Sequence, residues 1–419
     1  MRVIFVIPFS PKYENLNAAT SGSDYTDYPY TTNKSGEKVF FPKYDWGGLI
    51  GEHVLAADKT IHWEVWRPDD RADIVYQHVF DDGLIYRSYP VTARSYYQGM
   101  QRKRLPYSDL LEQELKTLCN QDPSTVVLLA TTVEFCRLLH RAIRHATAKV
   151  LYYHFISEDY LIPKIGFTYN ILKLIHRVAL YFQEKRRLGL IGNIQVMHQI
   201  AAEKLNRLYP DKRVFFARIG IDLSFWENCM TKCEARKALG LPEHTFIFLM
   251  SQRLTQEYQL DKWLQALHKA KDQTFLCIIT GTGIKTYVDC LARLVTKYDL
   301  NEKVRFTGFI SDKLIRTYLS ASDVFVSVPN NSGSTVSVVK AMAMGLPIIQ
   351  TDNGATQQLL LENNAGILLN SRYDESWSNT ISAVLAHELV IRTIPVDWLK
   401  REVSWDTCSR QWIDAINSI

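Results

Sequence analysis

Arg253, Gly281-Thr282-Gly283 and Gly333-Ser334-Thr335 each follow a short apolar run, and each leads toward a helix-length pattern. All three suit an anion. An arginine after the run TFIFLM can grip a diphosphate with two parallel N–H donors, or it can form a surface ion pair, and the residues leave both open. The glycines flanking Thr282 let backbone amides approach a phosphate, although the turn falls short of a full dinucleotide fingerprint. Gly333, Ser334 and Thr335 read as a turn and N-cap, and Val336 begins the helix. The free amides of the following turn then point outward with the helix's partial positive charge. Lys340 stands one turn in, and its side chain leans back toward that helix start. A cation there is unfavourable unless an anion lies close by; the alternative is a solvated lysine. Gly47-Gly48, after Asp45-Trp46, is a fourth candidate, and a lone glycine pair is more often a plain turn.

These residues need a scaffold that places loops and helix starts together. Apolar, β-branched runs at 2–7, 125–130, 149–154, 194–197 and 213–217 predict buried parallel strands in the first half. Runs at 245–250, 275–280, 303–307, 323–327 and 347–350 do so in the second half. Helical patterns at 260–271, 285–298, 312–321 and 336–344 lie between them. Strand–helix alternation twice over predicts an α/β protein of two Rossmann-like, doubly wound domains facing across a cleft. The expected boundaries give residues 1–222 and 223–400 as the two domains, with a helix over 401–419 returning to the first. Residues 10–44 read as a long loop, and QRKR at 101–104 as a loop.

Composition narrows the classes. Hydrophobic residues make up 47% and charged residues 22% of 419 positions, with a formal charge of +5. That is ordinary globular composition, too mildly basic for a nucleic-acid binder. Seven scattered cysteines fit a reducing, cytoplasmic setting. Cys229 and Cys233 lack the further ligands of a zinc site, so no metal is expected. No apolar run reaches the roughly 20 residues of a membrane span. Residues 164–187 carry six Lys or Arg against one Glu, with apolar residues interleaved. That pattern suits either a helix at the inner face of an anionic membrane or a core-facing helix with a solvated basic side.

In order and spacing, 245–360 resembles the family 4 glycosyltransferases of the GT-B fold. SQRLTQEYQLDKW is similar to that family's Gly-Arg-Leu…Glu-Lys-Gly segment, IITGTG to its Gly-Asp-Gly turn, and GSTVSVVKAMAMGLPIIQTDNGA to its donor-holding segment. RIGIDLSFW resembles the inter-domain stretch, and VSWDTCSRQW the closing helix. The first 150 residues match only loosely. The resemblance implies retaining transfer of a sugar from a nucleotide diphosphate sugar, with no metal or other cofactor. It implies that Arg253 holds the diphosphate, that Gly48 and the amides at 335–336 cradle phosphates, and that Phe309 and Ile310 border the base. His154 would contact the transferred sugar or the acceptor, unless it is a satisfied buried histidine. The acceptor would be a glycan, a lipid-linked sugar or a small molecule, as in polysaccharide biosynthesis.

Departures from the pattern are concentrated at the donor. The family's two glutamates, which bond the sugar and the ribose, fall on Ser332 and Lys340; its diphosphate lysine falls on Tyr258; and the acid of its glycine turn falls on Thr282. Either Lys340 restores the charge that Tyr258 does not supply, or catalysis has been lost and the chain is a silent partner of another glycosyltransferase. A sugar-nucleotide epimerase of the same fold is a further alternative.

Overall fold

The computed structural model describes residues 1–8, 28–43, 45–98, 101–130, 134–145, 149–154, 171–189, 191–227, 230–330, 336–352 and 356–419. They form two compact units. The first takes in the described residues of 1–12, 26–219 and 405–419; the second takes in those of 220–404.

The first unit begins with β1 (Arg2–Val6), a hairpin of β2 (Tyr30–Thr32) and β3 (Lys38–Phe40), α1 (Trp46–Ala57) and β4 (His62–Asp69). There follow β5 (Tyr76–Val79), β6 (Ile85–Pro90), a second hairpin of β7 (Thr92–Gln98) and β8 (Gln101–Tyr107), and α2 (Asp109–Gln121). Next come β9 (Val126–Ala130), α3 (Glu134–Ile143), β10 (Lys149–His154), α4 (Ile171–Leu188), β11 (Asn193–Val196), α5 (Gln199–Leu208) and β12 (Arg213–Phe216). Eight strands make one sheet in the order β12-β11-β10-β9-β1-β4-β6-β5. Every pair is parallel except β5 with β6. Near-continuous apolar runs such as VVLLA in β9 are buried throughout, as strands covered on both faces must be.

The second unit contains α6 (Lys232–Ala238), β13 (Phe246–Ser251), α7 (Leu260–Lys269), β14 (Phe275–Thr280), α8 (Lys285–Lys297), β15 (Val304–Gly308) and α9 (Asp312–Ala321). It continues with β16 (Val324–Ser327), α10 (Val336–Ala343), β17 (Ile348–Thr351), α11 (Gln357–Glu362), β18 (Ile367–Leu369), α12 (Glu375–Leu385) and α13 (Val396–Val403). Its parallel sheet runs β15-β14-β13-β16-β17-β18, so the strand order reverses between β13 and β16. The last helix, α14 (Trp405–Asn417), belongs to the first unit. Its Trp405 stacks on His53 of α1 at 4.0 Å, and the buried Trp412 donates from Nε1 to the Arg218 carbonyl at 2.9 Å.

Three features differ from the sequence expectation. Residues 101–104 open β8 instead of forming a loop, because each residue of Gln101–Tyr107 pairs with one of Thr92–Gln98. The expected loop over 10–44 contains the β2–β3 hairpin in its described part. Strands β4 and β6 escaped the apolar pattern because they carry charge: Glu64 is buried on β4 among Arg2, Arg87 and the Trp66 indole N–H. In the basic helix α4 no described side chain is fully buried, and Leu174, Val178 and Tyr181 form a half-buried stripe at helical spacing.

Candidate functional site

Ligands of open parallel sheets bind beyond the carboxyl ends of the strands, where the strand order reverses. In the second unit that point lies between β13 and β16, and Arg253 stands two residues beyond the end of β13. It is exposed, and among the described residues no carboxylate pairs with it.

The loops around Arg253 are joined backbone to backbone. Gln252 N–H donates to the Thr280 carbonyl at 3.2 Å, Leu254 N–H to Thr282 at 2.9 Å, and Gly281 N–H to Gly308 at 2.8 Å. This continues the sheet's pairing past its strands and ties the Arg253 loop, the glycine turn and the Phe309 loop into one ladder. Glycine is required for it. A Cβ on Gly283 would lie 1.9 Å from the Leu254 oxygen, and Gly281 has φ +119 with the Gln252 oxygen 2.1 Å from any Cβ. Thr282 therefore sits on a turn whose glycines are explained by loop-to-loop packing. Phe309, exposed, and Ile310 lead to Ser311, whose hydroxyl caps α9.

Lys340 lies on α10 and binds within the protein. Its Nζ donates to both carboxylate oxygens of Asp312, at 3.0 and 3.1 Å, and sits 4.3 Å over the ring of buried Trp226. Asp312 opens α9 and Lys340 lies in the last turn of α10, so the pair joins the two helices that follow β15 and β16. Val336 is the first residue of α10 and is half-buried. Ser332, Gly333, Ser334 and Thr335 lie outside the described residues, as does Cys229.

At the expected lysine position, Tyr258 closes a short 3-10 turn. The next residue, Gln259, takes the left-handed conformation with φ 47, where the family segment has glycine. The Gln259 amide bonds the Val328 and Ser371 carbonyls at 3.1 and 3.0 Å. A cavity of about 640 Å³ opens beside it, lined by Gln259, Lys262, Asn330, Ser371, Arg372 and Tyr373.

Several polar atoms at the carboxyl end of the same sheet are buried and have no partner among the described residues: Gln252 Nε2, Thr255 Oγ1, Thr280 Oγ1, Thr282 Oγ1 and Ser327 Oγ. Leaving a buried donor or acceptor unmade costs about 1–3 kcal/mol, so a concentration of them at the switch point calls for a partner. Of these, sequence reasoning named only Thr282. The signal it passed over is that β13, β14 and β16 each finish an apolar run with a hydroxyl residue: Ser251, Thr280 and Ser327.

In the first unit, Gly47 and Gly48 begin α1, but the Gly48 amide is already in use. It donates to Asp45 Oδ1 at 2.8 Å as the helix N-cap. A Cβ on Gly48 would fall 2.0 Å from the Lys43 oxygen, so close packing accounts for this glycine. Burial raises the Asp45 carboxyl to about 7, against the lowering effect of the Tyr86 hydroxyl and the Gly48 and Gly47 amides. The reading of Gly48 as a phosphate cradle is thus replaced, in this structure, by an internal carboxyl cap. His154 ends β10 in register with Val196; its side chain lies outside the description.

Two doubly wound units of this kind define the GT-B fold, and solved structures bear that out. A sucrose-phosphate synthase from Thermosynechococcus elongatus is similar over 100% of this chain and 98% of its own, with a TM-score of 0.70 at 15% identity. Anabaena Alr3699/HepE, in a complex with UDP, covers 100% of both chains with a TM-score of 0.65 at 12% identity. At the level of sequence, residues 231–394 match the family described as glycosyl transferases group 1. Among curated relatives, an alpha-monoglucosyldiacylglycerol synthase of Streptococcus pneumoniae is 23% identical over 230 residues, 53% of this chain and 48% of that protein. A D-inositol 3-phosphate glycosyltransferase of Xylanimonas cellulosilytica is 23% identical over 195 residues, 45% of this chain and 47% of that protein. The chain thus spans about half the length of the curated relatives it matches.

Proposed function

We propose that this chain is a glycosyltransferase that moves a sugar from a nucleotide diphosphate sugar to a hydroxyl of a glycan, a glycolipid or a small molecule. The observation that carries the reading is the bonded ladder of three loops that presents exposed Arg253 at the switch point of the second unit. The family match over 231–394 and the likeness to HepE, whose structure holds UDP, support it.

The chemistry asked of the chain is electrostatic. In a retaining transfer the acceptor oxygen attacks the anomeric carbon on the face from which the diphosphate departs. The bond from that carbon to the phosphate oxygen breaks, and the departing oxygen takes the acceptor's proton. No protein nucleophile is needed. Charge builds on the departing diphosphate, where a planar guanidinium and outward helix amides stabilise it. We take Arg253 for the first role, the amides at 335–336 for the second, and Phe309 with Ile310 as the edge against the base. A required metal has no part in this scheme. His154 is carried as a contact to the sugar or acceptor. A lipid-linked acceptor would place the basic helix at a membrane's inner face.

A panel of nucleoside diphosphates in a thermal-shift assay tests the donor reading. A ligand at one hundred times its dissociation constant adds about 2.7 kcal/mol, which raises the melting point of a unit this size by roughly 5–10 °C. Arg253→Ala should weaken the protecting nucleotide about 30-fold or more, as loss of a bidentate charged contact does. If no nucleotide protects, or if Arg253→Ala binds it equally well, the reading fails. The Lys340–Asp312 pair favours one rival, a chain that binds the nucleotide without transferring, because it engages the only cation expected to replace the lysine lost at Tyr258. Donor binding with no sugar transfer to any acceptor would select that rival.

A further inference from the structure

We propose that α4 and the β7–β8 hairpin form one apolar and basic surface that seats this chain on an anionic lipid bilayer. Both elements lie in the first unit. An 18-residue helix with no buried described side chain is unusual in a domain of this size, and α4 also exposes large apolar groups. Ile171, Leu172, Ile175 and Phe182 are 71%, 65%, 49% and 62% exposed. At 3.6 residues per turn these four fall on one stripe, spread over roughly 100° of the helix. Lys185 and Arg186, both exposed, continue the stripe toward the helix's carboxyl end.

The hairpin extends that stripe. Tyr97 pairs with Arg102, and Ser95 with Arg104, so these four share one face of the two-stranded ribbon. The opposite face carries Tyr96, which packs on the core, and Leu105, which is part of it. The Tyr97, Arg102 and Arg104 face is therefore the one turned from the core, and Tyr97 is 62% exposed. Gln183, which flanks the apolar stripe of α4, donates from Nε2 to the Tyr97 carbonyl at 3.3 Å, so the two elements meet.

Charge and apolarity together choose the partner. Residues 92–107 contain four Arg or Lys and no acid, and 171–188 contain five against one Glu. Arg94 is neutralised by Asp109 and Glu112, which leaves the outward charge with Arg102 and Arg104. An acidic protein or a nucleic acid would answer the charge and leave four large apolar side chains in water. A bilayer interface takes both, burying the apolar stripe at the acyl boundary while lipid phosphates meet the arginines. The chain would lie on the membrane, since no helix among the described residues is long and apolar enough to cross one.

This inference does not depend on the donor chemistry, and the two can fail separately. The test is sedimentation of the full chain with phosphatidylcholine vesicles, with and without phosphatidylglycerol, at low and high salt. Binding is expected only with the anionic lipid and should be released by salt. Arg102→Gln with Arg104→Gln should weaken it about 25-fold, at about fivefold per charge, with an unchanged melting temperature. Ile175→Ser with Phe182→Ser should weaken it about tenfold or more. If that variant unfolds, the arginine pair alone carries the test. The proposal is overturned if the vesicles bind nothing, if binding ignores both variants, or if zwitterionic vesicles bind equally. Equal competition by polyglutamate or by duplex DNA would also overturn it, by assigning the surface to an acidic macromolecule.

Discussion

Replacing Lys340 separates two ways in which a cation can serve the donor. Lys340 is neutralised within the protein: both oxygens of Asp312 accept from it, and Trp226 lies beneath it. Its side chain is 20% exposed and that of Asp312 is 48% exposed, so the pair is worth about 0.5–1 kcal/mol to folding. The contact with the buried indole adds about 0.5–1 kcal/mol more. Lys340→Met should therefore lower stability by about 1–2 kcal/mol in urea denaturation. Its effect on the donor comes from the charge left on Asp312. For an assumed separation of about 10 Å and an effective dielectric of about 40, one carboxylate would oppose each diphosphate charge by about 0.8 kcal/mol. Two such charges make the nucleotide bind about 15-fold more weakly. Asp312→Asn frees Lys340 and should bind the nucleotide at least as tightly as the parent. The double variant should return close to the parent. Lys340→Glu sets two carboxylates together and should be the weakest of the set. Calorimetric titration of whichever nucleoside diphosphate protects the chain would read all four. If Lys340→Met and the double variant are equally weak, Lys340 grips the phosphates directly and the neutral-pair reasoning is wrong.

Two stability predictions follow from the same geometry. Gly283→Ala drives a methyl into the Leu254 carbonyl and should cost about 3 kcal/mol or more, whereas Gly308→Ala, with φ +71 but nothing within 4 Å, should cost only about 1 kcal/mol. Equal losses in denaturant melts would refute the packing explanation. Asp45, half-buried with its carboxyl raised from 3.8 to about 7 by desolvation, makes stability depend on pH. Below about pH 4 both folded and unfolded chains hold its proton. As pH rises toward 7 the unfolded chain releases the proton first, so stability falls by at most ~4 kcal/mol. Asp45→Asn keeps a cap for Gly48, and the Tyr86 hydroxyl can turn to accept from its amide. It should match the parent near pH 4 and exceed it at pH 8; a parallel pair of curves would refute this.

The ten strands expected from sequence all form within a residue or two, because each is a short apolar run, and the central ones are buried on both faces. What stayed hidden has a physical cause. HWEVWRPD reads as polar, yet Glu64, Arg67 and Asp69 are all buried: the first pairs with Arg2 and Arg87, and the other two pair with each other. Such partners lie on other strands or two residues along, and no local pattern reveals them. The basic run at 101–104 is a strand because of its partner strand, which propensity does not encode. At the site, Arg253 and the glycine turn were legible as loops after strands. The pairing of Lys340 with Asp312 was not, since 28 residues separate them and only the fold brings α10 beside the start of α9. The capping of Gly48 by Asp45 was closer to hand: an Asp three residues before the amide is the spacing of an N-cap.

The partnerless hydroxyls bear most directly on whether the second unit still takes a ligand. A backbone ladder fixes the main chain of Thr282, so its hydroxyl can reach a partner only by rotating about χ1. A buried hydroxyl held this way weakens the free chain, and selection for stability alone would replace it with an apolar group of the same shape. Thr282→Val makes that replacement. If the hydroxyl exists for a ligand or for the water that bridges to one, the variant should be as stable as the parent or up to about 1 kcal/mol more stable. It should also bind the protecting nucleotide several-fold more weakly, at roughly 1 kcal/mol per lost hydrogen bond. Urea denaturation and calorimetry on the same preparation give both signs. A variant that loses stability while keeping full affinity would show that Thr282 serves the turn alone, and the orphaned groups at the switch point would then be no sign of a ligand.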